Sequence, residues 1–214
     1  SVSAVTFVTA SNYLESLKLP LHGHMVAVMA LMESPAIIMG LILISLHNKE
    51  MKIKKSGIIN HSLTNGSVFL IIGSLIIGYI ATTKQAEGIK PFTTDIYKGF
   101  LAIFLLDMGL VSGSKLKSFF QFGWFPVLFA IFIPLFNGVV FAYLSQFVTA
   151  DISNRFIFAV LAASASYIAV PAAMKINVPK ANPSLYLPMA LALTFPVNIT
   201  IGMPIYLQVI QHSQ

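Results

Sequence analysis

A chain of 214 residues with 57% hydrophobic and 9% charged side chains, at a mean hydropathy of +0.83, has too little polar surface to enclose a water-soluble core. Its net charge of +6 is spread over short loops between apolar runs, which excludes a nucleic-acid footprint. The absence of cysteine excludes disulfides, thiolate catalysis and cysteine-based metal sites.

The apolar segments recur along the whole chain, as spans do and a secretory signal does not. They are continuous rather than alternating, which predicts an all-α, polytopic helical bundle and not a barrel. A first helix begins at or before Ser1. By the length needed to cross hydrocarbon, the spans that follow are 23–46, 57–81, 96–113, 121–148, 155–176 and 183–210.

Taken in chain order, the first segment carries Ser1 and Ser3, and the loop after it carries His22 and His24. Two histidines without a third ligand read as solvated side chains. Span 23–46 holds Glu33 just ahead of Ser34 and Pro35, and the basic linker 47–56 follows with Lys49, Lys52, Lys54 and Lys55. His47 and His61 flank that linker at the lipid interface. Span 96–113 holds Asp107. An acid at mid-span costs about 2.5 to 3.5 kcal/mol as a lipid-facing charge, so Glu33 and Asp107 are expected to face protein. Glu33 belongs to a motif, whereas Asp107 reads as helix packing or an indirect contributor. Span 121–148 opens on Phe122, Trp124 and Phe125, an aromatic anchor. Span 155–176 contains "SASYIAVP", and span 183–210 contains Thr194 and Asn198.

Loop charge gives the orientation. Loops 47–56, 114–120 and 175–182 carry the lysines, including Lys115, Lys117, Lys175 and Lys180, against Glu50 alone, and are expected to be cytoplasmic. The alternate loops balance Lys18, Lys84, Lys90, Lys98 and Arg155 against Glu15, Glu87, Asp95 and Asp151, so they and the C-terminus are expected outside. The expected location is the plasma (inner) membrane.

The polar residues recur in a pattern. Laying Ser1 on Ser164 places Ser3 on Ser166, Ala10 on Ala173 and Pro20 on Pro183. After a two-residue adjustment, Glu33 falls on Thr194 and Pro35 on Pro196. The copies lie an odd number of spans apart, so they run in opposite directions and predict an inverted repeat with two discontinuous crossing helices. Pro171 lacks an N–H and obstructs the carbonyl four residues earlier, so the helix is expected to unwind just before it. The freed N–H groups, the serine hydroxyls and the positive end of the next half-helix would receive a small anion. Serine- and alanine-rich faces also serve close packing, which gives the same pattern on either copy alone.

"ASASYIAVPAAM" (163–174), "ANPSLYLPMALALTFPVNI" (181–199), "SVSAVTFVTA" (1–10) and "MESPAII" (32–38) resemble the sodium-dependent bicarbonate transporter family, best known from cyanobacterial carbon concentration. The likeness covers nearly the whole chain. It implies ten spans in two inverted five-span repeats, divided into core and gate domains, with anion and sodium held where the fourth and ninth spans cross. The chain would then begin inside the fourth span, as a C-terminal piece. Residues 1–46 would close the first repeat of the core domain, 57–113 would supply gate-domain spans, and 121–210 the core-domain spans of the second repeat.

The resemblance assigns Ser1, Ser3, Ser164 and Ser166, with Tyr167, to the substrate. It assigns Glu33, Thr194, Asn198 and Thr6 to sodium, the coupling ion, whose preference for oxygen ligands the neutral Thr194 and Asn198 suit. Interhelical hydrogen bonding is the alternative role for those two. Tyr167 departs from the pattern, because cyanobacterial members carry an aspartate there. A phenol removes that charge and either donates to an anion's oxygen or only packs. Trimers, and in cyanobacteria a nitrogen-regulator-like partner, also belong to the family. The short linker here argues against that partner. No organic cofactor and no nucleic acid are expected.

An intramembrane serine protease is disfavoured, since none of the five histidines falls at mid-span, and clustered carboxylates or a glycine-rich phosphate loop are missing. The reading is sodium-coupled uptake of a small anion, bicarbonate by resemblance. A proton-coupled carrier of a small carboxylate, and a channel or structural subunit, stay open as alternatives.

Overall fold

The computed structural model of the chain describes residues 2–47, 73–74 and 76–213. Ser1, nearly all of the linker 47–56 and most of the expected span 57–81 lie outside the described residues. The described residues are mostly helical, and none of them lies in a strand.

Helix α1 (Ala4–Ser16) starts where Ser3, in extended backbone, accepts a hydrogen bond from the N–H of Thr6 with its side chain. That satisfies one of the donors a helix start leaves open. It ends in a Schellman arrangement, with Leu19 N–H donating to Leu14 O and Lys18 N–H to Glu15 O. The left-handed residue this needs is Lys18, at φ 58°.

Helix α2 (His24–His47) runs through Pro35. Helix α3 (Thr83–Phe120) covers both the expected span 96–113 and its flanking loops. The correction has a local cause. Thr82 and Gln85 form a reciprocal capping box that starts a helix in the polar stretch "TKQAEGIK", and Pro91 is absorbed by a π-helical segment, Pro91–Ile96. At about 57 Å, α3 is longer than the hydrocarbon is thick. Lys115 and Lys117 likewise stand on its last turns rather than in a loop.

Helix α4 (Trp124–Leu144) is followed by α5 (Ile152–Ala162), a non-helical stretch at 163–168, and α6 (Ala169–Asn177). The expected span 155–176 is thus two short helices. Helix α7 (Pro183–His212) stays helical through two π segments, Met189–Thr194 and Asn198–Gly202. Among the described residues four helices, α2, α3, α4 and α7, are long and apolar enough to cross a membrane.

The core surrounds α5, which packs against α1, α4 and α7 and buries Phe156, Ile157, Val160 and Leu161. Lipid is as apolar as leucine, so close approach of small residues carries helix packing in a bilayer. Gly138 of α4 and Gly202 of α7 show this. A Cβ on Gly138 would overlap the Tyr206 ring, and one on Gly202 would lie 2.6 Å from the Tyr206 hydroxyl and 2.8 Å from Asn198 Oδ1.

Arg155 is 1% exposed rather than a loop charge balanced by acids. Its guanidinium donates to Ala142 O at 3.0 Å, Ile210 O at 3.5 Å and Ser145 Oγ at 3.3 Å, and also to Ser213 Oγ. Ala142 and Ile210 lie in the last turns of α4 and α7, where unpaired carbonyls and the negative end of the helix dipole favour a cation. The sequence count missed this because charge alone does not say which way a residue at a helix start will turn.

Candidate functional site: the helix break at 163–168

The break between α5 and α6 is held by hydroxyls. Ser164 Oγ donates to Leu161 O at 2.7 Å and accepts from the N–H of Ser3 at 3.1 Å, both buried. Ser166 Oγ accepts from the N–H of Ala169, the first residue of α6, at 3.1 Å. Ser166 thus pairs an open N–H at the start of α6, and Ser164 pairs the N–H of Ser3 while adding a second donor to Leu161 O, which its own N–H also reaches. Pro171 falls in the first turn of α6, where a missing N–H costs nothing. The start of α1 thus meets the break just after the end of α5, with Ser3 against Ser164.

A cavity of about 310 Å³ opens at this point. Ser164, Ser166 and Thr194 line it, together with Asn137 of α4 and Tyr186 of α7. Thr194 Oγ1 donates to Ala130 O at 2.8 Å, so its lone pairs are what it can still offer. Asn137 and Tyr186 went unnoticed in the sequence. Asn137 had a signal, being an amide in the middle of span 121–148, whereas Tyr186 had none.

Tyr167 is 2% exposed and is not among the residues lining the cavity. It packs with Val5, Ala190 and Leu191, stacks on Phe104 and meets Phe195 edge to face. Its buried hydroxyl lies near Ser3 without a hydrogen bond of ordinary geometry. Thr6 is buried one turn beyond Ser3. Asn198 donates through Nδ2 to Val160 O at 3.4 Å, while its Oδ1 is buried without a partner among the described residues. Thr194 and Asn198 lie on consecutive turns of α7, and each π segment holds one of them. π segments widen a helix and redirect its polar groups.

Glu33 is buried on α2. Ile37, one turn on and on the same face, packs against Ala169 at the start of α6. Asp107, expected to face protein, is exposed on α3 beside exposed Ile103, Leu106 and Leu110. In a bilayer a carboxyl there is tolerated only when neutral, hydrated or covered by protein. His22 lies 3.3 Å from Asp151 and stacks on His24, tying two loops together. No group of three or more metal-ligating His, Asp or Glu side chains occurs among the described residues.

The arrangement offers hydroxyl, amide and backbone groups at a break in the bundle, and among the described residues no charged side chain lines the cavity. Such neutral groups suit a monovalent ion that must both enter and leave. A search of curated proteins returns no match to the chain. A family model does match: residues 1–211 fit that of the Na⁺-dependent bicarbonate transporter superfamily, and the chain belongs to that transporter family.

Proposed function

We propose that this chain carries a small monovalent anion across the membrane together with sodium, with bicarbonate as the substrate the family indicates. The observation that carries the reading is the buried contact of Ser3 N–H with Ser164 Oγ beside the cavity. A break in a membrane helix survives only where protein covers it or a cavity gives its backbone partners, and this one is covered by the start of α1 and opens on a cavity. Ser1, Ser3, Ser164 and Ser166 are the proposed anion contacts, with Tyr167 shaping their surroundings from the apolar side. Thr194, Asn198, Thr6 and Glu33 supply the oxygens for sodium. Assembly into a homo-oligomer belongs to the same reading.

Uptake of labelled bicarbonate into proteoliposomes by the full-length gene product tests this. Uptake is expected to rise with an inward sodium gradient and to fall to background when choline replaces sodium at fixed pH. Uptake that follows a pH gradient and ignores sodium would assign the coupling to protons instead. Glu33→Gln keeps the side-chain shape and removes the charge. It is expected to raise the sodium concentration for half-maximal uptake at least tenfold, and equal sodium activation of variant and wild type removes Glu33 from the site.

A further inference from the structure

The cavity is larger and oilier than a four-heavy-atom anion needs. Its volume of about 310 Å³ would hold roughly ten waters at liquid density. It stands at the lower bound of pockets that take organic ligands, about 300 to 1,000 Å³, which are mostly apolar with a few placed polar groups. Phe129, Ile133 and Asn137 recur at every fourth position along α4, so they share one face. That face offers two apolar side chains and then an amide. Met189 adds an apolar wall from α7, and the hydroxyls of Ser164 and Ser166 stand at the helix break.

Resting on the anion-carrier reading above, we propose that the substrate site takes a monocarboxylate with a short apolar tail. The carboxylate takes the Asn137 amide N–H and the O–H of Ser164, which is released from Leu161 O because that carbonyl keeps the Ser164 N–H, and two to four carbons lie against Phe129, Ile133 and Met189. Charge count sets the class. Neutral donors can hold one negative charge, whereas a dicarboxylate would place its second charge on the apolar wall, where no described lining residue carries a charge to pair it.

The test uses proteoliposomes of the full-length gene product under a sodium gradient. Formate, acetate, propionate and butyrate compete with labelled bicarbonate, 1-propanol and 1-butanol serve as uncharged controls, and uptake of labelled butyrate is followed directly. The inhibition constant is expected to fall about fourfold per methylene, the equivalent of ~0.8 kcal/mol per buried CH₂. Butyrate is expected to accumulate. Ile133→Trp, which fills the tail space, is expected to raise the constant for butyrate at least tenfold more than that for formate. Sodium-driven bicarbonate uptake with no gain from formate to butyrate overturns the tail proposal and leaves the carrier reading standing. Competition by 1-butanol equal to that by butyrate also overturns it and marks the cavity as a lipid-tail site. Absence of all uptake overturns the carrier reading. Titration of the purified protein then decides the cavity by itself, with tighter butyrate than formate supporting the proposal and equal or absent binding ending it.

Discussion

Residues 152–177 and helix α7 are both apolar segments interrupted by proline and polar residues, yet one breaks and the other does not. Helix α7 contains Pro188, Pro196 and Pro204 and remains helical from Pro183 to His212 by widening into π segments at Met189–Thr194 and Asn198–Gly202. Thr200 Oγ1 also donates back to Pro196 O one turn earlier, at 2.7 Å. In 152–177 the sole proline of α6 lies after the break, and the hydroxyls of Ser164 and Ser166 hold the loose backbone ends. Proline alone therefore does not open a helix in this bundle. Side chains able to replace the lost hydrogen bonds do, and their oxygens are then at hand for a ligand.

The strongest way to break the comparison is to cut what joins its two halves. Arg155 of α5 donates to carbonyls in the last turns of α4 and α7. Arg155→Leu removes the charged hydrogen bonds that tie α5 to α4 and α7, although Ala142 O keeps the Ser145 hydroxyl and Ile210 O keeps the Ser213 hydroxyl; at about 1.5 to 3 kcal/mol for a bond to a charged group the expected loss is about 3 kcal/mol. Thermal unfolding of purified protein measures it, and an unchanged melting temperature would show that α5 and α7 are not clamped there. Arg155→Lys should recover only part, since an ammonium lacks the planar fork that reaches several acceptors.

Next in size is the seam between α4 and α7. Gly138→Ala puts a methyl into the Tyr206 ring, with an expected cost of about 1 to 3 kcal/mol. Pairing it with Tyr206→Ala should restore part of the loss, because the second change removes the obstructing ring. Additive losses in the double variant would show that the glycine is not there for Tyr206.

Two smaller effects separate serine from proline as the cause of the break. Ser164→Ala leaves the buried Ser3 N–H without its acceptor, at about 1 to 2 kcal/mol, whereas Leu161 O keeps the backbone N–H of residue 164. Pro171→Ala should change stability by less than about 1 kcal/mol, because a first-turn residue needs no N–H partner. Melting temperatures of the two variants, compared side by side, test the order. A larger loss for Pro171→Ala would make proline the cause after all.

Much of this was legible in the sequence. Continuous apolar runs fixed the helical class, and the recurrence of Ser1 and Ser3 at Ser164 and Ser166 foretold that Ser3 and Ser164 would meet. Polar residues in a membrane helix are costly, so their positions carry information. The helix at 83–95 was hidden because charge and proline look like a loop until the Thr82–Gln85 cap is seen. Arg155 and Tyr186 were hidden for a different reason. Whether a side chain at a span end points to water or turns into the bundle depends on which carbonyls and helices lie beside it, and that is set by tertiary packing.

The measurement that bears most directly on the break as the transport site is sodium-driven bicarbonate uptake by wild type and Ser166→Ala at matched melting temperature. Ser166 Oγ stands in the cavity at the start of α6. The account predicts sodium-dependent uptake in the wild type and at least a tenfold rise in the half-saturating bicarbonate concentration in the variant. Sodium-dependent uptake of equal affinity in both proteins would contradict it.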